Sequence, residues 1–153
     1  MIVQQHSHSS ISQSLPPCEP QADPERRLEI AILLTSYPAT AAAINCAATL
    51  LHGLNGRISL LDIKTIPHQL SLDNPPISAE FTKQRIFELA SMSSVETTGY
   101  VYFCRSQLDA LTSILKPGSL IVIGCQRRWW PTWEAKLARK LRNAGFQVIV
   151  HES

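Results

Sequence analysis

Two arginines and three tryptophans lie within seven consecutive residues, Arg127 to Trp133, and this composition suits a binding site. Guanidinium groups hold carboxylates and phosphates through paired hydrogen bonds, and indole rings stack on flat ligands. The same residue types also anchor protein interfaces. A third interpretation leaves the arginines in water and uses Trp133 to pack a helix onto a sheet. The candidate residues for a small anionic ligand in this loop are Arg127, Arg128, Trp129 and Trp130.

The position of this loop adds to its interest. An apolar strand, Leu120–Ile123, breaks at Gly124, and Thr132 is placed to cap the helix that follows. In open α/β sheets, ligands bind beyond the carboxyl ends of the strands, and a helix N-terminus there favours anions. Thr35 and Ser36 follow the first predicted strand in the same way. Thr35, Ser36, Gly124 and Thr132 therefore complete the candidate ligand-binding set.

Catalytic and metal-binding patterns are missing from the sequence, so we predict that the protein is not an enzyme. There is no nucleophile elbow, Walker lysine, dinucleotide fingerprint or zinc-protease motif. The four cysteines include no C-x-x-C pair, and the apolar surroundings of three of them indicate buried thiols in a reduced, cytoplasmic protein. Asp62 ends a strand, where a lone aspartate is more often a turn residue than a functional one. No cofactor is predicted, although ATP is kept as an alternative.

Composition divides the 153 residues into a polar leader and one domain. Residues 1–27 are rich in Ser, Gln, His and Pro and show no apolar periodicity, which predicts a disordered segment without a signal peptide. Residues 28–153 are expected to form a single folded domain. Eight basic and only two acidic side chains lie between Arg105 and Arg142. Because basic charge alone is unspecific, nucleic-acid binding is considered unlikely.

Strands and helices alternate along the domain, which predicts a doubly wound parallel sheet of the α/β class with five strands in the order 3-2-1-4-5. The uncharged run Ile30–Gly56 is long enough for a membrane span, but the interruption at Thr35–Pro38 favours a strand, a turn and an Ala-rich helix. Ser106 and Asp109 form a capping box for a later helix. The predicted strands are Leu28–Leu34, Arg57–Lys64, Tyr100–Cys104, Leu120–Ile123 and Phe146–Val150.

The succession ILLTSYPAT, an Ala-rich helix, GRISLLDI, YFCRSQLDALTSILKPGSLIVIG and GFQVIV resembles the universal stress protein family. This resemblance implies a five-stranded α/β sheet and a homodimer that forms through the last strand, here Phe146, Val148 and Val150. Many members bind ATP. Their first strand usually ends in an aspartate, whereas this chain has Thr35, and of the glycines of their phosphate loop only Gly124 is present.

The resemblance therefore implies a non-catalytic regulatory or ligand-binding module that does not bind ATP in the family manner. Arg127 stands where the second glycine of the phosphate loop is expected, and glycines are what let backbone N–H groups approach a phosphate. Two alternatives stay open. One is an adenine-nucleotide site built from the arginines and tryptophans of the loop, and the other is a protein-interaction module that docks through the same loop.

Overall fold

The computed structural model describes residues 3–5, 27–70, 79–127 and 132–153. Ten elements follow one another along the chain. The strands are β1 (Val3–Gln5), β2 (Leu28–Leu33), β3 (Gly56–Thr65), β4 (Thr97–Cys104), β5 (Leu120–Cys125) and β6 (Gln147–Glu152). The helices are α1 (Tyr37–Leu50), α2 (Ala79–Ser91), α3 (Gln107–Ile114) and α4 (Trp133–Asn143).

The six strands form one sheet in the order β1-β4-β3-β2-β5-β6. The five strands from β2 to β6 are parallel, and their order is the predicted 3-2-1-4-5, so the predicted α/β fold class is confirmed. The run that resembled a membrane span contains β2 and α1. Among the described residues, no helix combines the length and the apolar character that crossing a membrane requires.

Successive side chains of each central strand point to opposite faces of the sheet and pack into two separate hydrophobic cores, one on each face. Ile30 and Ile32 of β2 join the cluster under α1 and α2, whereas Ala31 and Leu33 join the cluster under α3 and α4. Helix α1 buries Ala39, Ala43 and Ala47 completely or almost so, and these small side chains let its backbone lie close to the sheet. Both faces are therefore covered, as parallel sheets require.

The β1 strand differs from the predicted structureless leader. Val3–Gln5 pairs antiparallel with β4, and Val3 lies opposite Phe103. Without this pairing β4 would be an edge strand with an unpaired row of backbone N–H and C=O groups. Those groups give the residues of β1 a physical reason to pair there. The other residues of the predicted leader, except Arg27, lie outside the described residues.

The predicted helix caps are in place. The Ser106 hydroxyl accepts a hydrogen bond from the Asp109 N–H, and the Thr132 hydroxyl accepts one from the Ala135 N–H, each at 3.3 Å. Phe81 of α2 is 71% exposed. The face of α2 that meets the sheet is formed by Ile86 and Leu89, and Phe81 lies outside it.

Candidate functional site

The central cleft exists because neighbouring strands end at different heights. The last residue of β2, Leu33, pairs with Leu61 of β3 on one side and with Ile123 of β5 on the other. Strand β3 continues to Thr65, whereas the chain leaves β2 and turns into α1. The carboxyl end of β2 is thus left as the floor of a cleft of about 560 Å³. This is the switch point at which doubly wound sheets bind ligands.

The walls of the cleft are mostly polar and come from six elements or their adjoining loops. Two carboxylates, two basic groups, two amides and three hydroxyl groups take part, together with one indole ring and two aliphatic side chains. The lining residues are Leu34, Thr35, Ser36, Asp62, Ile63, Lys64, Arg85, Gln107, Gln126, Thr132, Trp133 and Glu134.

Asp62 is the most unusual of these residues. It lies within an apolar strand, pairs in register with Val101, and is only 4% exposed. Its Oδ1 atom lies 3.1 Å from Lys64 Nζ, whereas its Oδ2 atom is buried without a hydrogen-bond partner in the described part of the chain. A buried acceptor left in this state costs about 1–3 kcal/mol, and more when it is charged. Folding alone gives no reason to keep such a group.

A second carboxylate of the cleft shares this property. Glu134 stands in the first turn of α4, and its Oε2 atom is buried without a partner among the described residues. Its negative charge is favoured there by the helix dipole. Because Lys64 and Arg85 line the same cleft, two positive and two negative side chains balance each other. The formal charge of the lining residues is therefore zero.

Thr35 ties together the segments that meet at the floor of the cleft. Its hydroxyl donates to the Gly124 carbonyl at 2.8 Å, and its N–H donates to the Thr40 hydroxyl at 3.0 Å. The Thr35 carbonyl accepts a hydrogen bond of 2.6 Å from Arg85 Nη2. These three bonds join β2 to β5, to α1 and to α2. Thr35 lines the cleft, and its hydrogen bonds connect the segments that form the floor.

Gly124 has a packing role. A Cβ atom added there would lie 2.5 Å from the Ala39 carbonyl carbon and 3.2 Å from the Thr40 nitrogen, and it would clash with the Ala39 carbonyl oxygen. The backbone at the start of α1 therefore lies directly against Gly124. This close approach accounts for the glycine without any phosphate.

The predicted site residues divide into three groups. Thr35, Ser36 and Thr132 line the cleft, and Gly124 adjoins it through its bond to Thr35. Arg127 is exposed and is not among the lining residues. Trp133, predicted either to stack on a ligand or to pack on the sheet, is 48% exposed and lines the cleft. Arg128, Trp129 and Trp130 lie outside the described residues.

The sequence interpretation missed most of the charged lining. Asp62 was weighed as a functional residue and set aside as more often a turn residue, although a carboxylate inside a run of buried strand residues is itself a signal, because burying a charge is costly. Lys64 lies two residues after Asp62 in β3 and so shares its face of the strand. Arg85 and Gln107 come from other elements, and they join Asp62 in the cleft only when α2 and α3 pack on the sheet.

Cys104 and Cys125 do not contribute a reactive group. Burial raises the pKa of Cys104, and it also raises the pKa of Cys125, where the charges of Glu152 and Glu134 add to the effect. Both thiols are buried and hence protonated near neutral pH, so they are poor nucleophiles. No group of three or more His, Cys, Asp and Glu side chains suited to a metal ion occurs in the described ranges.

Comparison with solved structures places the fold. A universal stress protein from Archaeoglobus fulgidus matches with a TM-score of 0.57 and 12% sequence identity, over 80% of this chain and 92% of that one. A protein of the universal stress protein family from Burkholderia pseudomallei matches with a TM-score of 0.53 and 16% identity, over 80% and 94% of the two chains. No protein-family model and no curated protein matches the sequence. The chain has the fold of the universal stress proteins, as the order of its sequence segments indicated.

Proposed function

We propose that this protein is a non-catalytic, universal-stress-protein-like module of the cytoplasm that binds a small polar ligand in the central cleft. The observation that carries the proposal is the cleft itself, which stands at the switch point of the sheet and holds a buried Asp62 oxygen that has no hydrogen-bond partner among the described residues. Ligand sites keep polar groups that folding does not satisfy, since the ligand supplies the missing partner.

The same geometry argues against ATP bound through a glycine-rich phosphate loop. A triphosphate needs convergent N–H donors or excess positive charge. Here the lining charges cancel, and Gly124 is occupied by its contact with α1. The alternative nucleotide site of Arg127 and Arg128 would lie beside the cleft, because Arg127 is not part of its lining.

We also propose that the protein forms a homodimer through β6. This strand lies at the edge of the sheet, and an edge strand offers its outer backbone groups to a second strand. The side chains of Phe146 and Val148 are buried in the core of their own chain, at 6% and 9% exposure. The pairing would therefore rest on the β6 backbone and on Val150, which is partly exposed.

The cleft is tested by filling it. Ser36 is exposed at the mouth, and although it occupies the N-cap of α1, its side chain makes no capping bond, so replacing it removes little stability. Small polar metabolites, ATP included, are screened by thermal denaturation against the wild type and Ser36→Trp. A ligand present at a hundred times its Kd adds about 2.7 kcal/mol. For a chain of this size that is a rise in Tm of roughly 5–11 °C.

The expected result is that at least one compound raises the Tm of the wild type and not that of Ser36→Trp. Ser36→Ala is the matched control, because it removes the same hydroxyl without filling the cleft, and it should keep a thermal response that Ser36→Trp loses. The proposal is wrong if no compound stabilises the wild type, or if Ser36→Trp responds equally well.

A further inference from the structure

We infer that a groove between the start of α1 and the outer face of α2 binds a free α-amino acid with an aromatic or large aliphatic side chain. This α1–α2 groove has a volume of about 470 Å³ and is lined by Tyr37, Phe81, Gln84, Arg85 and Glu88. Sites for small molecules have volumes in this range. Among the described residues, Arg85 alone lines both this groove and the central cleft, so the two are neighbouring but separate sites. Binding in the groove requires no ligand in the cleft.

Two aromatic rings form the apolar part of the groove. Phe81 is 71% exposed and Tyr37 is 42% exposed. The Tyr37 hydroxyl donates a hydrogen bond to the sulfur of Met92, just beyond the end of α2, at 3.4 Å, and this contact holds the ring across the outer face of the helix. An apolar ligand side chain placed between the two rings removes their surface from water, which is favourable.

Two opposite charges stand beside the rings. Arg85 and Glu88 lie three residues apart on the face of α2 that also carries Phe81, and at this spacing Cβ atoms are about 5–6 Å apart. None of the four ion pairs among the described residues includes either side chain. Arg85 donates to the Thr35 carbonyl, and Glu88 accepts from the Gln84 amide at 3.3 Å. A guanidinium has further N–H donors and a carboxylate has further lone pairs, so both groups can still bind a ligand.

These charges select a ligand that carries both signs. A simple anion would meet Glu88, and a simple cation would meet Arg85, whereas a zwitterion satisfies both. The carboxylate of an amino acid suits the planar guanidinium, and its ammonium group suits the Glu88 carboxylate. Because a free α-amino acid carries both charged groups on one carbon atom, it fits protein charges that are one helical turn apart. Its side chain then lies against Tyr37 and Phe81.

The experiment is isothermal titration calorimetry of the full chain with L-phenylalanine and three compounds that each lack one of its features. L-phenylalaninamide lacks the carboxylate, N-acetyl-L-phenylalanine lacks the ammonium group, and L-alanine lacks the ring. L-phenylalanine should bind at least about tenfold more tightly than each of the other three, because only it can contact the arginine, the glutamate and the rings together.

Two pairs of variants connect the binding to the groove. Phe81→Ala and Glu88→Gln should each weaken the binding of L-phenylalanine at least about tenfold. Phe87→Ala is the matched control for the first, since Phe87 is an α2 phenylalanine that is 48% exposed and does not line the groove. Glu80→Gln is the matched control for the second, since Glu80 is an exposed α2 carboxylate outside the groove. Both controls should bind like the wild type, and circular dichroism confirms that each variant is folded.

The possible failures are distinct. Equal affinity for L-phenylalanine and its N-acetyl derivative would identify the carboxyl terminus of a peptide as the ligand and overturn the inference, and equal affinity for the amide would overturn it in favour of a simple amine. Binding that Phe87→Ala weakens as much as Phe81→Ala does would exclude the groove. Binding that is lost in Ser36→Trp and kept in Phe81→Ala would place the amino acid in the central cleft, so that the inference fails and the proposed function stands. Absence of binding up to the solubility limit of L-phenylalanine also refutes the inference, whereas the proposed function is decided by its own thermal screen.

Discussion

Gly124→Ala is the sharpest test of how the floor of the cleft is built. The added Cβ would lie 2.5 Å from the Ala39 carbonyl carbon, against the 3.4 Å at which ordinary contact begins. The start of α1 would have to retreat from β5 by about 1 Å, since both contacting groups are backbone. A substitution that only affected ligand binding would leave this packing untouched.

The expected cost follows from how firmly α1 is held. Ala39, Ala43 and Ala47 are at most 1% exposed, so a retreat of the helix opens space beneath all three. Overpacking a core usually costs about 1–3 kcal/mol, and a clash between two backbone segments belongs at the upper end. For a chain of this length, ~3 kcal/mol lowers the Tm by roughly 6–12 °C.

The assay is urea and thermal denaturation of the wild type, Gly124→Ala and Gly118→Ala. Gly118 has a φ of +81° and no atom within 4 Å of an added Cβ, so its substitution reports backbone strain without a clash. We expect that control to lose about 1 kcal/mol. If Gly124→Ala loses no more than Gly118→Ala, the packing explanation is refuted, and Gly124 must be kept for another reason, such as backbone approach to a phosphate.

Three further predictions concern stability and assembly. Burial raises the pKa of Glu29, but hydrogen bonds from Ser59 and Arg57 outweigh it and hold that pKa below 4.5. Glu29→Gln should therefore lower the free energy of unfolding by up to about 1 kcal/mol at neutral pH, since the group is partly exposed. The difference in unfolding free energy between the wild type and the variant should shrink as the pH falls below 4.5 through the folded-state pKa. A difference that grows in acid contradicts this sign. Arg105 donates hydrogen bonds to the carbonyls of Ile66, Pro67 and Leu70. Arg105→Ala should therefore speed hydrogen exchange in residues 66–70 and lower the free energy of unfolding in urea by about 1–3 kcal/mol, with Arg105→Lys intermediate. Unchanged exchange would show that the loop does not depend on this side chain. Light scattering should show a dimer for the wild type and a folded monomer for Val150→Lys, whereas a dimer that persists points to another surface.

The strand and helix pattern was predictable because each element carries its own signal. β5 is an apolar run and β2 is one interrupted only by Glu29. The caps Ser106 and Thr132 are short-range patterns whose hydrogen bonds do not depend on distant residues. The alternation of strands and helices predicted a parallel sheet, and the order 3-2-1-4-5 was chosen because it is common among doubly wound sheets. By contrast, β1 is three residues long, and its pairing with β4 leaves no periodicity in the sequence.

The site was predictable in position but not in composition. Thr35, Ser36 and Thr132 follow from the rule that ligands bind at the carboxyl ends of strands, and all three line the cleft. The pairing of Asp62 with Lys64 follows from local periodicity, since residues i and i+2 of a strand share a face. That this face opens into a cleft requires knowing that β3 extends past β2, which is a tertiary fact. Gly124 was interpreted as the one remaining glycine of a phosphate loop. Its packing against Ala39 could not be predicted, because the two residues are 85 positions apart in the sequence.

If the ligand enters the cleft above β2, a ¹H–¹⁵N correlation spectrum of the protein should show it at the amides that surround the cleft. The labelled protein is titrated with the compounds used for thermal screening, and the amide shifts are mapped onto the sequence. We predict that binding compounds move the amides of Thr35, Lys64, Gln126 and Thr132, which surround the cleft. Shifts confined to residues 127–131, or to β6, would contradict the claim and place the function elsewhere.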